Sequence, residues 1–115
     1  MAAIALNKFK TVRVGVTTNM VGIYTCPIGV ATVVILSQVT NVSNDVYKVT
    51  AVHSRGSEII SDYKFANEVK VPPNDSVALI SDGRLVLETN DSIKIQADSN
   101  DKLELILSIL ETAKQ

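Results

Sequence analysis

Apolar residues recur at every second position along much of this chain, the spacing that sets side chains alternately on the two faces of a β-strand. Val12, Val14 and Val16 alternate with Thr11, Arg13 and Gly15. Val21, Ile23 and Thr25 repeat the pattern after a polar Thr17-Thr18-Asn19 break, and Pro27-Ile28-Gly29 is turn chemistry. From Ala31 to Val42 both parities are apolar, with Val33, Ile35 and Val39 against Val34 and Leu36. That predicts a central strand covered on both sides, or one at a subunit contact. Asn41 to Asp45 supplies a turn, and Tyr47, Val49 and Ala51 then share one parity. Ser54-Arg55-Gly56-Ser57 reads as a loop. The stretch from Ile59 to Phe65 is less regular, and Val69 and Val71 form a short strand before Pro72-Pro73.

The second half contains a repeat. Asn74-Asp75-Ser76-Val77-Ala78-Leu79 is followed by Asn90-Asp91-Ser92-Ile93-Lys94-Ile95. In both, a polar triplet precedes an apolar–any–apolar run. Such triplets hydrogen-bond local backbone and start a strand cleanly, so the repeat reads as strand–turn grammar in an antiparallel meander. Ser81-Asp82-Gly83 turns the strand of Val77 and Leu79 toward Leu85 and Leu87, Asp-Gly being a hairpin signal. From Lys102 to Lys114 two periods coexist. Leu103, Leu105, Leu107 and Ile109 fit a strand, while Leu103, Ile106, Leu107 and Leu110 fit a helical stripe. The neighbouring meander favours a strand with a short frayed or helical end. About eight short strands without a long helix predict an all-β fold, a single antiparallel β-sandwich of jelly-roll or immunoglobulin-like topology, with a closed barrel as the alternative.

Composition narrows this further. The 115 residues suit one domain, and 46% apolar with 20% charged residues is an ordinary globular balance. Net charge is −1 and no basic block appears, which argues against a nucleic-acid partner. The single cysteine, Cys26, allows no intrachain disulfide. The start, MAAIALNKFK, is short and weakly apolar for a signal peptide, and no apolar run is long enough to span a bilayer. A soluble protein without membrane contact is expected.

Reactive chemistry is sparse. With one histidine, His53, and one cysteine, the usual zinc ligand set cannot be assembled. His53 reads as a structural residue near a strand end, and Cys26 as a small buried hydrophobe. Asp82, Asp98 and Asp101 lie in turns that can share one end of a sandwich; their spacing matches no EF-hand loop, so they read as turn formers, with a Ca²⁺-stabilised module as the weaker alternative. The five glycines are isolated and form no phosphate loop. No enzyme, cofactor or metal is expected.

What remains is surface. Residues 1–9 form an N-terminal arm bearing Ile4, Leu6 and Phe9, ahead of a domain over residues 10–115. Ile106 and Leu110 lie on the parity opposite to Leu105 and Leu107, leaving both faces of a terminal strand apolar. These five residues are the candidate interface, since contiguous exposed apolar surface marks contact sites. A receptor- or glycan-binding tip, the alternative, would instead use loops around Arg55, Tyr63 and Asp82.

Two segments carry a resemblance. KTVRVGVTTNMVGIYTCPIGVATVVILSQVTNVSND holds Ile23-Tyr24-Thr25, Pro27 and Gly29, and ends its long apolar strand in Val39, Asn41 and Val42. VPPNDSVALISDGRLVLETNDSIKI holds Val71-Pro72, Asp75-Ser76, Gly83-Arg84-Leu85-Val86-Leu87-Glu88 and Asp91-Ser92, with KLELILSILE behind it. Together they resemble small β-sandwich virion structural proteins of tailed bacteriophages, especially of marine cyanophages, over nearly the whole chain beyond residue 9. The resemblance implies a subunit present in many copies, assembled in the host cytoplasm into the virion. It implies other virion proteins as partners, either the major capsid protein or neck and tail proteins. A capsid decoration protein is favoured over a neck, tail or fibre component. It implies no functional residue and no cofactor.

Overall fold

Two antiparallel sheets face each other across a core of valine, leucine and isoleucine. The computed structural model describes residues 7–56, 61–80 and 84–113. Among them are nine strands: β1 (Asn7–Gly15), β2 (Val21–Thr25), β3 (Val30–Asn41), β4 (Tyr47–Arg55), β5 (Ser61–Val71), β6 (Ser76–Ala78), β7 (Leu85–Leu87), β8 (Ser92–Ala97) and β9 (Leu103–Ala113). One sheet runs β1-β9-β3-β6, with β7 also paired to β3, and the other runs β2-β8-β4-β5. The first strand therefore pairs with the last, and most connections cross between the sheets. That order is a jelly roll, not the immunoglobulin arrangement or a closed barrel.

The alternation read from the sequence places the core. On β9, Leu103, Leu105, Leu107 and Ile109 point inward and are at most 2% exposed. Ile93 and Ile95 of β8 and Val49 of β4 meet them from the other sheet, where Ala51 is buried opposite Ile95. The buried residues form two clusters, and Ile23 packs against both. Strand geometry wins at the C-terminus because β9 is the shared neighbour of β1 and β3; a helix there would leave both ladders unpaired.

Several boundaries differ from those expected. Phe9 lies within β1 and so belongs to a strand and not to an arm. Ser54 and Arg55 continue β4 instead of forming a loop, and the segment from Ser61 to Phe65 is the first half of the long strand β5. The register of β4 against β5 shifts twice, at Val49/Ala51 and at Ala51/Val52, and Glu68 has φ 48°. Both shifts fall within Lys64–Val69; Ser61 to Lys64 pair with β4 in unbroken register but are exposed, which leaves that stretch without apolar alternation. In β3 the register against β9 shifts between Val34 and Leu36. Thr32 and Val34 face the core before it, Ser37, Val39 and Asn41 after it. Apolar residues on both parities thus reflect a switch of inward parity at the bulge.

The paired triplets act as turns. Asn74 and Asn90 both take left-handed backbone, with φ 54° and 69°, and the serines that follow open β6 and β8. Asp75 Oδ1 accepts the N–H of Ser76 at 2.8 Å, and Asp91 Oδ2 accepts that of Glu88 at 2.9 Å.

Candidate assembly surface

Residues opposite one another in an antiparallel ladder share a face. Phe9 of β1 is opposite Leu110 of β9, Leu110 is opposite Val33 of β3, and Val33 is opposite Val86 of β7. One apolar row therefore crosses the outside of the five-stranded sheet. Phe9 is 73% exposed and Val86 53%; Leu110 and Val33 between them are half-buried by their neighbours. A second row runs from Arg13 through Ile106 and Gln38 to Ala78, with Ile106 44% exposed. Between the rows lie Thr11, Ser108 and the exposed Leu36. Among the strand positions of this face only Arg13 and Glu104 are charged.

The outside of the other sheet is unlike it. Lys48 stands opposite Lys70, while Val52 is flanked by Lys64 and Lys94 in one row. Val52 is 3% exposed although it points outward, which fits lysine stems lying over it with their ammonium groups in water. Lys94 also reaches Asp62 at 3.5 Å. The Ser54 hydrogen bond, and then Lys94, hold the Asp62 carboxyl below its usual range. The sandwich thus has one lysine-coated face and one face almost free of charge.

Of the five expected interface residues, the structure brings Phe9 and Leu110 together as direct ladder partners and sets Ile106 on the same face. Ile4 and Leu6 lie outside the described residues. Leu36, Val33 and Val86 join the surface but were not singled out. For Leu36 the signal was visible in the double-parity run of β3, while Val33 and Val86 depend on pairings only the fold reveals.

Two polar networks lie at the ends of strands. Asp91, 1% exposed, binds Arg55 through both carboxylate oxygens, Nε to Oδ1 at 2.9 Å and Nη2 to Oδ2 at 2.8 Å. His53 Nε2 is 3.1 Å from Oδ2, and Arg55 Nη2 also donates to Glu88 at 2.8 Å. The Arg55 hydrogen bonds, against the opposing effect of burial, hold the Asp91 carboxyl down at about 2. Asp91 also accepts the Cys26 N–H through its backbone carbonyl, so it ties together the ends of β2, β4 and β8. The second network starts at Lys10, 3.1 Å from the buried Glu111. Tyr24 donates to Glu111 at 2.5 Å and contacts Thr32 Oγ1 at 2.9 Å. The Tyr24 bond, opposed by burial and aided by Lys10, lowers the Glu111 carboxyl below its usual range. Burial and the adjacent carboxylate push the Tyr24 hydroxyl up. Thr32 Oγ1 sits 3.3 Å from Cys26 Sγ, whose thiol donates to the Val30 carbonyl at 3.2 Å.

Both networks are internally satisfied, and both read as structural. His53 and Cys26 lie within them as strand-end and core residues. Asp98 accepts the Lys48 N–H at 2.9 Å, tying the end of β8 to β4, and Asp101 takes φ 62°, as a turn former does. Asp82 lies outside the described residues. No group of three or more His, Cys, Asp or Glu side chains placed to hold a metal occurs among the described residues. Arg55 is committed to two carboxylates, and Tyr63, 75% exposed, lies opposite His53 on the same face of β4 and β5.

No family model and no curated protein matches the chain. Among solved structures it is similar to a protein of Bacillus endospore appendages, described as a novel family of disulfide-linked pili. The TM-score is 0.57 at 13% identity, over 100% of this chain and 98% of that one. At that identity the likeness concerns the fold.

Proposed function

We propose that this chain is a structural subunit of a tailed-phage virion that joins its neighbours through the outer face of the five-stranded sheet. The observation that carries this reading is the apolar row Phe9–Leu110–Val33–Val86, with Ile106 beside it, on a face whose described strand positions carry only Arg13 and Glu104 as charges. Covering half-exposed side chains of this size contributes about 1 kcal/mol each. The virion setting rests on the segments around Ile23-Tyr24-Thr25 and Gly83-Arg84-Leu85, and within it a capsid decoration role is the leading assignment. Neck, tail or fibre placement is the alternative. The work assigned to the chain is adhesion, with no catalytic step.

The likeness to an appendage protein favours a second reading, a subunit of a polymeric surface fibre. Both readings share assembly from like or neighbouring subunits. The disulfide linkage named for the pili is not carried over, because Cys26 is 0% exposed and hydrogen-bonded within its own domain.

The test is an Ile106→Asp, Leu110→Asp double variant. Both side chains lie on the outer face; Leu110 is half-buried between Phe9 and Val33, so the thermal melt should fall while the variant still folds, and addition to particles prepared without the chain should be lost. Full incorporation of the folded double variant would refute the face. Copy number per particle separates the placements: a number matching shell sites supports decoration, and a small number matching tail symmetry supports the tail axis. Glycan binding by the isolated domain, with no incorporation into particles, would replace both readings with a recognition module.

A further inference from the structure

The two sheets have four edges, and three are blunted in the ways that prevent strand addition. β5 is bulged twice and carries Glu68 at positive φ. β2 is five residues long with a register shift between Gly22 and Tyr24. β6 and β7 are three residues each. β1 is different: its nine residues, Asn7 to Gly15, pair with β9 in one unbroken register and contain no proline.

The direction of its free groups follows from one bond. Val16 N–H donates to the Leu103 carbonyl at 2.9 Å, in the same register as β1. Alternate residues of an antiparallel ladder turn their N–H and C=O to the same side. Val14, Val12, Lys10 and Lys8 therefore face β9, and Asn7, Phe9, Thr11, Arg13 and Gly15 present theirs to the open edge.

We propose that β1 pairs antiparallel with β1 of a second copy of this chain, with Thr11 on the two-fold axis. Thr11 is the midpoint of the described strand Asn7–Gly15, so this register uses every outward-facing backbone group among its described residues. It sets Asn7 opposite the partner's Gly15, Phe9 opposite the partner's Arg13 and Thr11 opposite the partner's Thr11. Phe9 and Arg13 are both exposed and share the outer face, where a guanidinium over a ring is favourable. On the inner parity Lys10 meets the partner's Val12 and Lys8 the partner's Val14, so no like charges stand opposite. Lys10, which would otherwise guard the edge, is engaged by Glu111 at 3.1 Å. A register centred on Lys10 would set it against its own copy. The two-fold axis is perpendicular to the sheet, so the apolar outer face continues across the pair. The inference rests on the reading of the chain as an assembly subunit and names its partner.

The test uses the full chain. A proline is tolerated on an edge strand where the N–H faces solvent. Thr11→Pro should keep the fold of the monomer but halve the mass seen by sedimentation. Thr11→Cys should give a covalent dimer under mild oxidation, because hydrogen-bonded partners lie ~5.5 Å apart between Cα atoms, within disulfide reach. Arg13→Cys should not, since its two copies are four residues out of register. Cys26 is buried and does not interfere. A wild-type monomer at high concentration, a Thr11→Pro dimer, or equal cross-linking of both cysteine variants would overturn the pairing. Should Thr11→Pro fail to fold, the cross-link comparison decides. Ile106→Asp separates this inference from the reading beneath it. A dimer that survives Ile106→Asp and is lost in Thr11→Pro supports the edge, whether or not particles still take up the chain.

Discussion

Replacing Asp91 with asparagine tests the polar knot at one end of the sandwich. The carboxylate is 1% exposed and accepts from Arg55 twice, from the Glu88 backbone and from His53. Its pKa falls from 3.8 to about 2 on folding. A carboxyl depressed in the native state contributes stability above its unfolded value, and that contribution disappears as the pH falls through the folded value. The shift corresponds to about 1–2 kcal/mol at neutral pH after allowing for solvent screening at the half-exposed Arg55. Asparagine also presents an amide N–H₂ to a ring of donors, leaving at least one buried donor unpaired at ~1–3 kcal/mol. Asp91→Asn should therefore lose about 2–4 kcal/mol at pH 7 and still fold, given the ~5–15 kcal/mol available to a domain. Urea denaturation reads this as a midpoint lowered by about 1–2 M. Repeated down the acid range, the gap between wild type and variant should narrow from about pH 4 toward pH 2 as the wild-type carboxylate is protonated. Equal midpoints at pH 7, or a gap that stays constant into acid, would refute the assignment of Asp91 as the charged centre of this end.

Tyr24→Phe removes the 2.5 Å hydrogen bond to Glu111 and should cost ~1.5–3 kcal/mol in a thermal melt, the range for bonds to a buried charged group. An unchanged melt would mean that water or Lys10 already satisfies Glu111. Cys26 should resist a thiol reagent in the folded protein and react fully in urea, because its sulfur is enclosed and bonded to Val30. Rapid native labelling would show that the β2–β3 turn opens freely.

Much of the architecture was legible in alternation. Val12 and Val14, Val49 and Ala51, Ile93 and Ile95, and Leu103 to Ile109 each point where their parity says. Local rules sufficed there because each strand is regular and one of its faces is wet. The repeated Asn-Asp-Ser triplets were legible as turns for the same reason, since asparagine adopts positive φ cheaply within its own few residues. What failed locally failed at bulges. Around Val34–Leu36, and again in β5, an extra residue inverts the inward parity, and periodicity then misreports the face. The two triplets also diverged in a way no local rule could show: Asp75 stays exposed, while Asp91 is buried under Arg55 and His53.

The candidate surface divides along the same line. That Ile106 and Leu110 oppose Leu105 and Leu107 in parity is a property of one strand, and the sequence alone determined it, along with the all-β class and the turns. That Phe9 stands beside Leu110, and Val86 beyond Val33, is a matter of which strands pair. Those pairs join residues about a hundred and about fifty positions apart. Only tertiary structure decided them, because ladder hydrogen bonds are the same for any two strands. Partner choice is set by the packing of the whole sandwich.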